Sequence, residues 1–212
     1  MSAITENYGW TEHAPGSTDY IAPAIVAKLE ALGALRVLDA GCGNGSVTAK
    51  IAAAEMKTLG IDGDEEGIAI ARKHYPELEF SRADFAASGT VLDGAPFDAV
   101  VSTEVVEHLF APHELARFAW EALKPGGHFI VTTPYHGYWK NLALSLAGKW
   151  DHHHTALWHG GHIKFFSRKT LEALLAAQGF EIESFSGLGR APYLWKSMMM
   201  TARKPLASNK TS

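Results

Sequence analysis

The stretch V-L-D-A-G-C-G-N-G-S-V-T, residues 37–48, constrains this chain more than any other. A short apolar run ends on three alternate glycines, and a helical pattern follows at once. Gly41, Gly43 and Gly45 let the backbone turn tightly and approach a ligand with no Cβ in the way. A dinucleotide-binding loop would carry a further glycine at the position of Ser46, so that reading is weakened. Taken alone, the loop also fits a plain structural turn.

The strand-then-helix pattern recurs along the chain. Strand-type runs fall at 36–41, 57–62, 78–84, 96–103, 128–134, 181–187 and 197–204. Helical spacing falls at 19–32, 46–55, 65–75, 112–123 and 167–179. The run D-A-V-V-S within 96–103 lacks polar alternation, as expected of a strand covered on both faces. Asp19, Asp64 and Ser167 are expected as N-caps, and Gly33 and Gly179 as helix stops. This order predicts an α/β fold, a doubly wound and mainly parallel sheet with helices on both faces. Residues 1–212 read as one domain, with an N-terminal arm and helix over 1–33 and an insertion or lid over 135–166. In such sheets ligands bind beyond the carboxyl ends of the strands, so residues just after each strand carry the information.

Composition narrows the classes. Of 212 residues 47% are hydrophobic and 20% charged, and the net charge is −4, which argues against bulk nucleic-acid binding. Cys42 is the only cysteine, so no internal disulfide forms. There is no basic-then-apolar leader pattern and no apolar run of 18 residues, and a cytoplasmic enzyme is the expectation.

The strand ends supply the chemistry. Asp62 closes the second strand, twenty-one residues after Gly41, where a carboxylate can accept both hydroxyls of a ribose. Asp84 closes the third, placed to accept an exocyclic amino group of adenine with Phe85 beside the ring. The fourth runs into S-T-E-V-V-E-H-L, residues 102–109. If 104–110 is a helical turn, Glu104, Glu107 and His108 share one face. Two carboxylates and an imidazole suit Mg2+, Mn2+, Fe2+ or Zn2+. The alternative is a solvated face on which His108 caps or packs.

The segments "VLDAGCGNG", "GID", "AD", "FDAVVSTEVVEHL" and "LKPGGHFIVTTP" occur in that order. With them, residues 36–134 resemble the class I S-adenosylmethionine-dependent methyltransferases. The resemblance implies a Rossmann-like seven-stranded sheet whose last strand, 197–204, is antiparallel. It implies S-adenosylmethionine as cofactor, with Asp39, Gly41, Cys42, Gly43 and Gly45 near its methionine moiety. Asp62 and Gly63 fall at the ribose, Asp84 and Phe85 at the adenine, and Thr103 at the fourth strand's end.

The segment from His162 through "IKFFSRKTLEALLAAQGF" resembles the ubiquinone-type O-methyltransferases. The E-x-x-E-H pattern with a distant histidine is also similar to metal-dependent small-RNA 2′-O-methyltransferases. By that resemblance Glu104, Glu107, His108 and His162 are the ligands of a divalent metal. Such an ion would lower the pKa of a bound hydroxyl, and His136, His153, His154 or His159 would take its proton. The run 152–154 also reads as an exposed loop.

Residues 135–150 are rich in aromatic and aliphatic side chains, among them Tyr138, Trp139, Leu146 and Trp150. They read as a lid over a hydrophobic acceptor, as an interfacial helix giving peripheral membrane contact through 138–150, or as a cover for the core. Arg190 fits a substrate anion or an ordinary surface position. Tyr8 and Trp10 are expected to fold over the cofactor. The expected activity is O-methylation of a small diol-, catechol- or quinol-like acceptor, with no nucleic-acid partner. The alternatives are a metal-independent small-metabolite methyltransferase, a cofactor-binding regulator and an RNA 2′-O-methyltransferase.

Overall fold

A computed structural model describes residues 9–85, 95–150, 154, 157–158 and 160–206. Among these residues seven strands form one sheet: β1 (Arg36–Ala40), β2 (Lys57–Asp62), β3 (Glu79–Arg82), β4 (Phe97–Thr103), β5 (Leu123–Pro134), β6 (Glu181–Leu188) and β7 (Ser197–Arg203). Their order is β3-β2-β1-β4-β5-β7-β6. The first five strands pair in parallel, and β7 runs antiparallel between β5 and β6. The expected fold class and the antiparallel strand near 197–204 are both present. The order reverses between β1 and β4, which opens a crevice beyond their carboxyl ends.

Side-chain alternation along the strands builds the two layers. Val37, Ala99, Val101, Ile130 and Met199 face one side, where they meet Ile21, Ile25 and Leu29 of α1 (Thr18–Ala31) and Val47 and Ile51 of α2 (Ser46–Ala52). Leu38, Val100, Phe129, Val131, Met198 and Met200 face the other. There they meet Leu115 and Phe118 of α4 (Pro112–Ala122) and Leu171 and Leu175 of α6 (Arg168–Ala177). A smaller cluster packs Ile68 and Ala71 of α3 (Glu65–His74) on Phe80 and Cys42. The remaining described helix, α5 (Tyr138–Leu146), leaves Tyr138, Trp139 and Leu146 exposed.

Several boundaries differ from those expected. Ser17, not Asp19, stands at the N-cap of α1, with no side-chain hydrogen bond, and Asp19 lies in the first turn as an acid facing the positive end of the helix dipole. The caps at Asp64 and Ser167 are present: Asp64 accepts from Glu66 N at 2.9 Å, and Ser167 forms a reciprocal box with Thr170. The second helix stops at Ala52, short of the expected 55, and Glu55 has φ 63°. β5 begins at Leu123, five residues before the expected start, because Leu123 pairs with Phe97 and Lys204 bonds the backbone of Gly126 and Gly127. The Lys124-Pro125-Gly126-Gly127 run is therefore part of a strand.

Candidate active site

The glycine loop leaves β1 at the crevice. Gly41 has φ +86°, and a Cβ there would lie 2.3 Å from a methyl of Val105. The loop can therefore pass close to the segment that follows β4 only with glycine at this position. Gly41 N and Cys42 N both bond the carbonyl of Ile61, which ties the loop to the end of β2. Asp62, next in sequence, accepts from Gly43 N and from Asp64 N, each at 2.8 Å. Burial holds its carboxyl above the usual carboxylate range despite these two bonds. One oxygen takes each bond, so each keeps acceptor capacity for a ligand hydroxyl.

Two cavities flank this loop. One, of about 230 Å³, is lined by Asp62, Gly63, Asp84 and Phe85, the four residues expected around ribose and adenine. The other, of about 400 Å³, is lined by Gly41, Cys42, Thr103, His108, Trp158 and His162. Trp10, Gly41, Thr103, Glu104 and His108 line both, so the cavities meet at the ends of β1 and β4. Asp39, expected near the methionine moiety, lines neither cavity. It is fully buried beneath the loop, accepts from Thr48 Oγ1 at 2.7 Å, and burial pushes its carboxyl up to about 7.

Glu107, His108 and His162 come together beside the larger cavity, which the two histidines line while Glu107 is buried behind them. One ligand atom of each lies within 4.8 Å of the other two. Local folding explains the placement. Val106–His108 forms a single 3-10 turn after β4. The carbonyl of Glu107 then accepts both Ile163 N, at 3.0 Å, and Lys164 N, at 2.9 Å, which clamps the His162 segment beside the turn. His108 Nδ1 lies 3.3 Å from the carbonyl of Gly161. A proton on Nδ1 donated there leaves Nε2 as the ligand atom, as a metal-bound histidine usually arranges it. Glu107 Oε2 accepts from Thr133 Oγ1 at 2.9 Å. Glu107 Oε1 is buried without a hydrogen-bond partner and sits 3.9 Å from His108 Nε2. A buried carboxylate oxygen with no partner is costly, and a cation among these three groups would satisfy it. Burial is also the main cause that holds the Glu107 carboxyl well above its ordinary range, with the nearby Glu104 charge second. These residues fit a divalent ion, with one carboxylate and two imidazoles as its ligands.

Glu104 does not join them. It has φ +54°, so the chain leaves β4 through a left-handed residue and the expected helical turn over 104–110 does not form. Its carboxylate accepts instead from Thr132 Oγ1 at 2.9 Å and Ser197 Oγ at 3.0 Å. Thr132 and Thr133 are neighbours on β5, so their side chains leave opposite faces of the sheet. One holds Glu104 and the other Glu107, which separates the two carboxylates. Burial raises the Glu104 carboxyl to about 7.

Two of the expected proton acceptors, His136 and His154, lie elsewhere. His136 and His154 stack on each other, rings 5.9 Å apart, and both meet Phe165 edge-on at 5.1 Å. Neither lines the two cavities. His153 and His159 fall outside the described residues.

Comparison with known proteins places the chain in a family. The family model for the methyltransferase domain matches residues 15–184. The chain belongs to the S-adenosylmethionine-dependent methyltransferases. A ubiquinone biosynthesis O-methyltransferase from Azorhizobium caulinodans is 32% identical over 170 residues, covering 76% of this chain and 64% of that protein. A probable S-adenosylmethionine-dependent methyltransferase from Mycolicibacterium smegmatis is 32% identical over 152 residues, covering 72% of this chain and 54% of that one. The match thus spans less than two thirds of either relative's length. Among solved structures, magnesium protoporphyrin IX methyltransferase from Synechocystis PCC 6803, with bound SAH, shares the fold. Its TM-score is 0.66 at 19% identity, over 86% of this chain and 81% of that one.

In this methyltransferase several supporting residues carried no signal in the sequence. Thr48, Thr132, Thr133 and Ser197 position the buried carboxylates, and Trp158 completes the larger cavity. The paired threonines at the end of β5 were the available clue. Adjacent hydroxyls in an otherwise apolar buried strand require acceptors, one on each face.

Proposed function

We propose that this methyltransferase methylates a hydroxyl of a small diol-, catechol- or quinol-like acceptor with the help of a divalent ion held by Glu107, His108 and His162. The gathering of these three ligand atoms within 4.8 Å, two of them from histidines that line the larger cavity, carries the reading. When bound, the ion would act as a Lewis acid toward an acceptor hydroxyl. The protein's own part is alignment. The glycine loop and Asp62 hold the sulfonium cofactor, and Thr103 and His108 line the junction where an acceptor oxygen meets its methyl group. The relatives named as ubiquinone biosynthesis O-methyltransferases support an O-linked acceptor of quinol type. Glu104 would stand beside the ion, held by its two hydroxyls.

Peripheral membrane contact through 138–150 fits the same acceptor class. Tyr138, Trp139, Leu146 and Trp150 are exposed on and just after α5, a pattern suited to a lipid interface. A cytoplasmic enzyme meeting a hydrophobic acceptor at the membrane is the resulting picture.

The test is methyl transfer from S-adenosylmethionine to a panel of catechols, quinols and aliphatic diols. Each is assayed after chelation and again with Mg2+, Mn2+ or Zn2+ restored. Turnover of vicinal diols that needs an added ion supports the reading. Equal turnover in excess chelator would leave a metal-independent small-metabolite methyltransferase.

A further inference from the structure

Residues 9–17 cross the glycine loop as a strap, and three separate contacts pin them there. The first is Asn44, the residue between Gly43 and Gly45. Its side-chain amide is 4% exposed and donates to the carbonyls of Thr11 and His13, both at 3.0 Å. Its Oδ1 accepts from Ser46 N at 3.3 Å. Two carbonyls on one side and an N–H on the other fix the amide orientation, and no other side chain of this size offers two donors and an acceptor.

The second contact is Trp10. A Cβ on Gly43 would lie 2.1 Å from its ring, and a Cβ on Gly67 would lie 3.2 Å from the same ring. Gly67 sits inside α3, where glycine costs about 1 kcal/mol relative to alanine. The close approach of Trp10 and of the Gly43 backbone accounts for it. The third contact is Glu12, which pairs with Lys73 at 2.8 Å and His74 at 3.4 Å on the outer side of α3.

The strap also walls the site. Gly9, Trp10, Thr11, His13 and Ser17 line the larger cavity opposite the glycine loop. Trp10 lines the smaller one too, beside Asp62 and Asp84. A cofactor reaching from those acids to the glycine loop must pass Trp10.

We propose that residues 9–17 are the closed lid of the cofactor cleft and that Asn44 is the positioning residue that latches this lid to the glycine loop. The proposal rests on the cofactor reading above and adds a route. Cofactor enters and demethylated cofactor leaves when the two Asn44 bonds break and Trp10 lifts from Gly43. Asn44 thus acts on the ligand through the strap, by recognising its main chain.

Stopped-flow release of S-adenosylhomocysteine tests this on the full chain, comparing wild type with Asn44→Ala, Trp10→Ala and the double variant. Asn44→Ala is expected to release ligand about tenfold faster, the size of a lost buried hydrogen-bond pair, and Trp10→Ala faster than wild type through lost packing on Gly43. The double variant should release ligand faster than either single, because both contacts hold the same closed strap. Unchanged release in the singles overturns the lid, as does a double variant no faster than wild type. Hydrogen exchange on wild type covers the case of a variant that does not fold. Amides of 9–17 should gain protection when S-adenosylhomocysteine is added, and no gain overturns the lid. Wild type that binds no S-adenosylhomocysteine would instead sink the cofactor reading itself.

Discussion

Thr132 and Thr133 differ by one position and serve different carboxylates, Glu104 at 2.9 Å and Glu107 at 2.9 Å. Replacing Thr133 by Val leaves Glu107 with no hydroxyl donor in a buried site. The expected cost is about 1–3 kcal/mol of stability, read by chemical denaturation with metal chelated. An unchanged midpoint would mean that the bond is worth nothing. Asp62 accepts two backbone N–H groups and faces the smaller cavity. Asp62→Ala is expected to weaken S-adenosylhomocysteine binding at least about tenfold by calorimetry, since a charged acceptor is lost. Unaltered affinity removes the ribose assignment.

Asp39 gives a pH dependence with a definite sign. Its carboxyl is raised by burial to about 7, whereas an unfolded aspartate titrates near 4. The folded state therefore favours the protonated form. The contribution is fully present below about pH 4 and is lost as pH rises toward 7. Thermal unfolding between those limits should show this decline in wild type and a flatter profile in Asp39→Asn. Identical profiles would mean that Asp39 does not titrate in that window. At this scale the sequence was legible at Asp62, which ends β2, whereas β3 ends at Arg82 and Asp84 lies two residues beyond it. It was not legible for Glu104, whose left-handed backbone and two hydroxyl partners come from β5 and β7, far away in sequence.

Elements were easier to read than their ends. Strands β1 and β4 announced themselves because both faces are buried, so their sequences are apolar without alternation. The start of β5 was hidden because Pro125, Gly126 and Gly127 look like a turn until Lys204 is brought alongside them. The Ser167 cap was legible, since a capping residue and its partner lie three apart in sequence. Its loss in Ser167→Ala is expected to cost about 1 kcal/mol of stability. For α5 the sequence left three uses open, and the helix exposes Tyr138, Trp139 and Leu146. Vesicle flotation with anionic and neutral lipid should carry wild type upward and leave a Trp139→Ser, Leu146→Ser variant behind. No flotation of wild type removes the membrane contact.

For the whole molecule, the reversal of strand order between β1 and β4 decides where chemistry happens. It brings the glycine loop, Asp62, Asp84 and the turn after β4 to one crevice, although they span residues 41–108. His162 arrives from a further fifty-odd residues away, tied in by two backbone bonds to the Glu107 carbonyl. That long-range clamp turns an ambiguous E-x-x-E-H run into a three-ligand cluster. The most direct test is isothermal calorimetry of Mn2+ or Zn2+ with chelator-treated protein, beside His162→Ala and Glu107→Gln. The expected result is a single saturable site in wild type, weakened at least about tenfold in each variant, as loss of a supporting group at a metal site typically does. Wild type that binds no ion, or variants that bind as tightly, would contradict a metal centre at Glu107, His108 and His162.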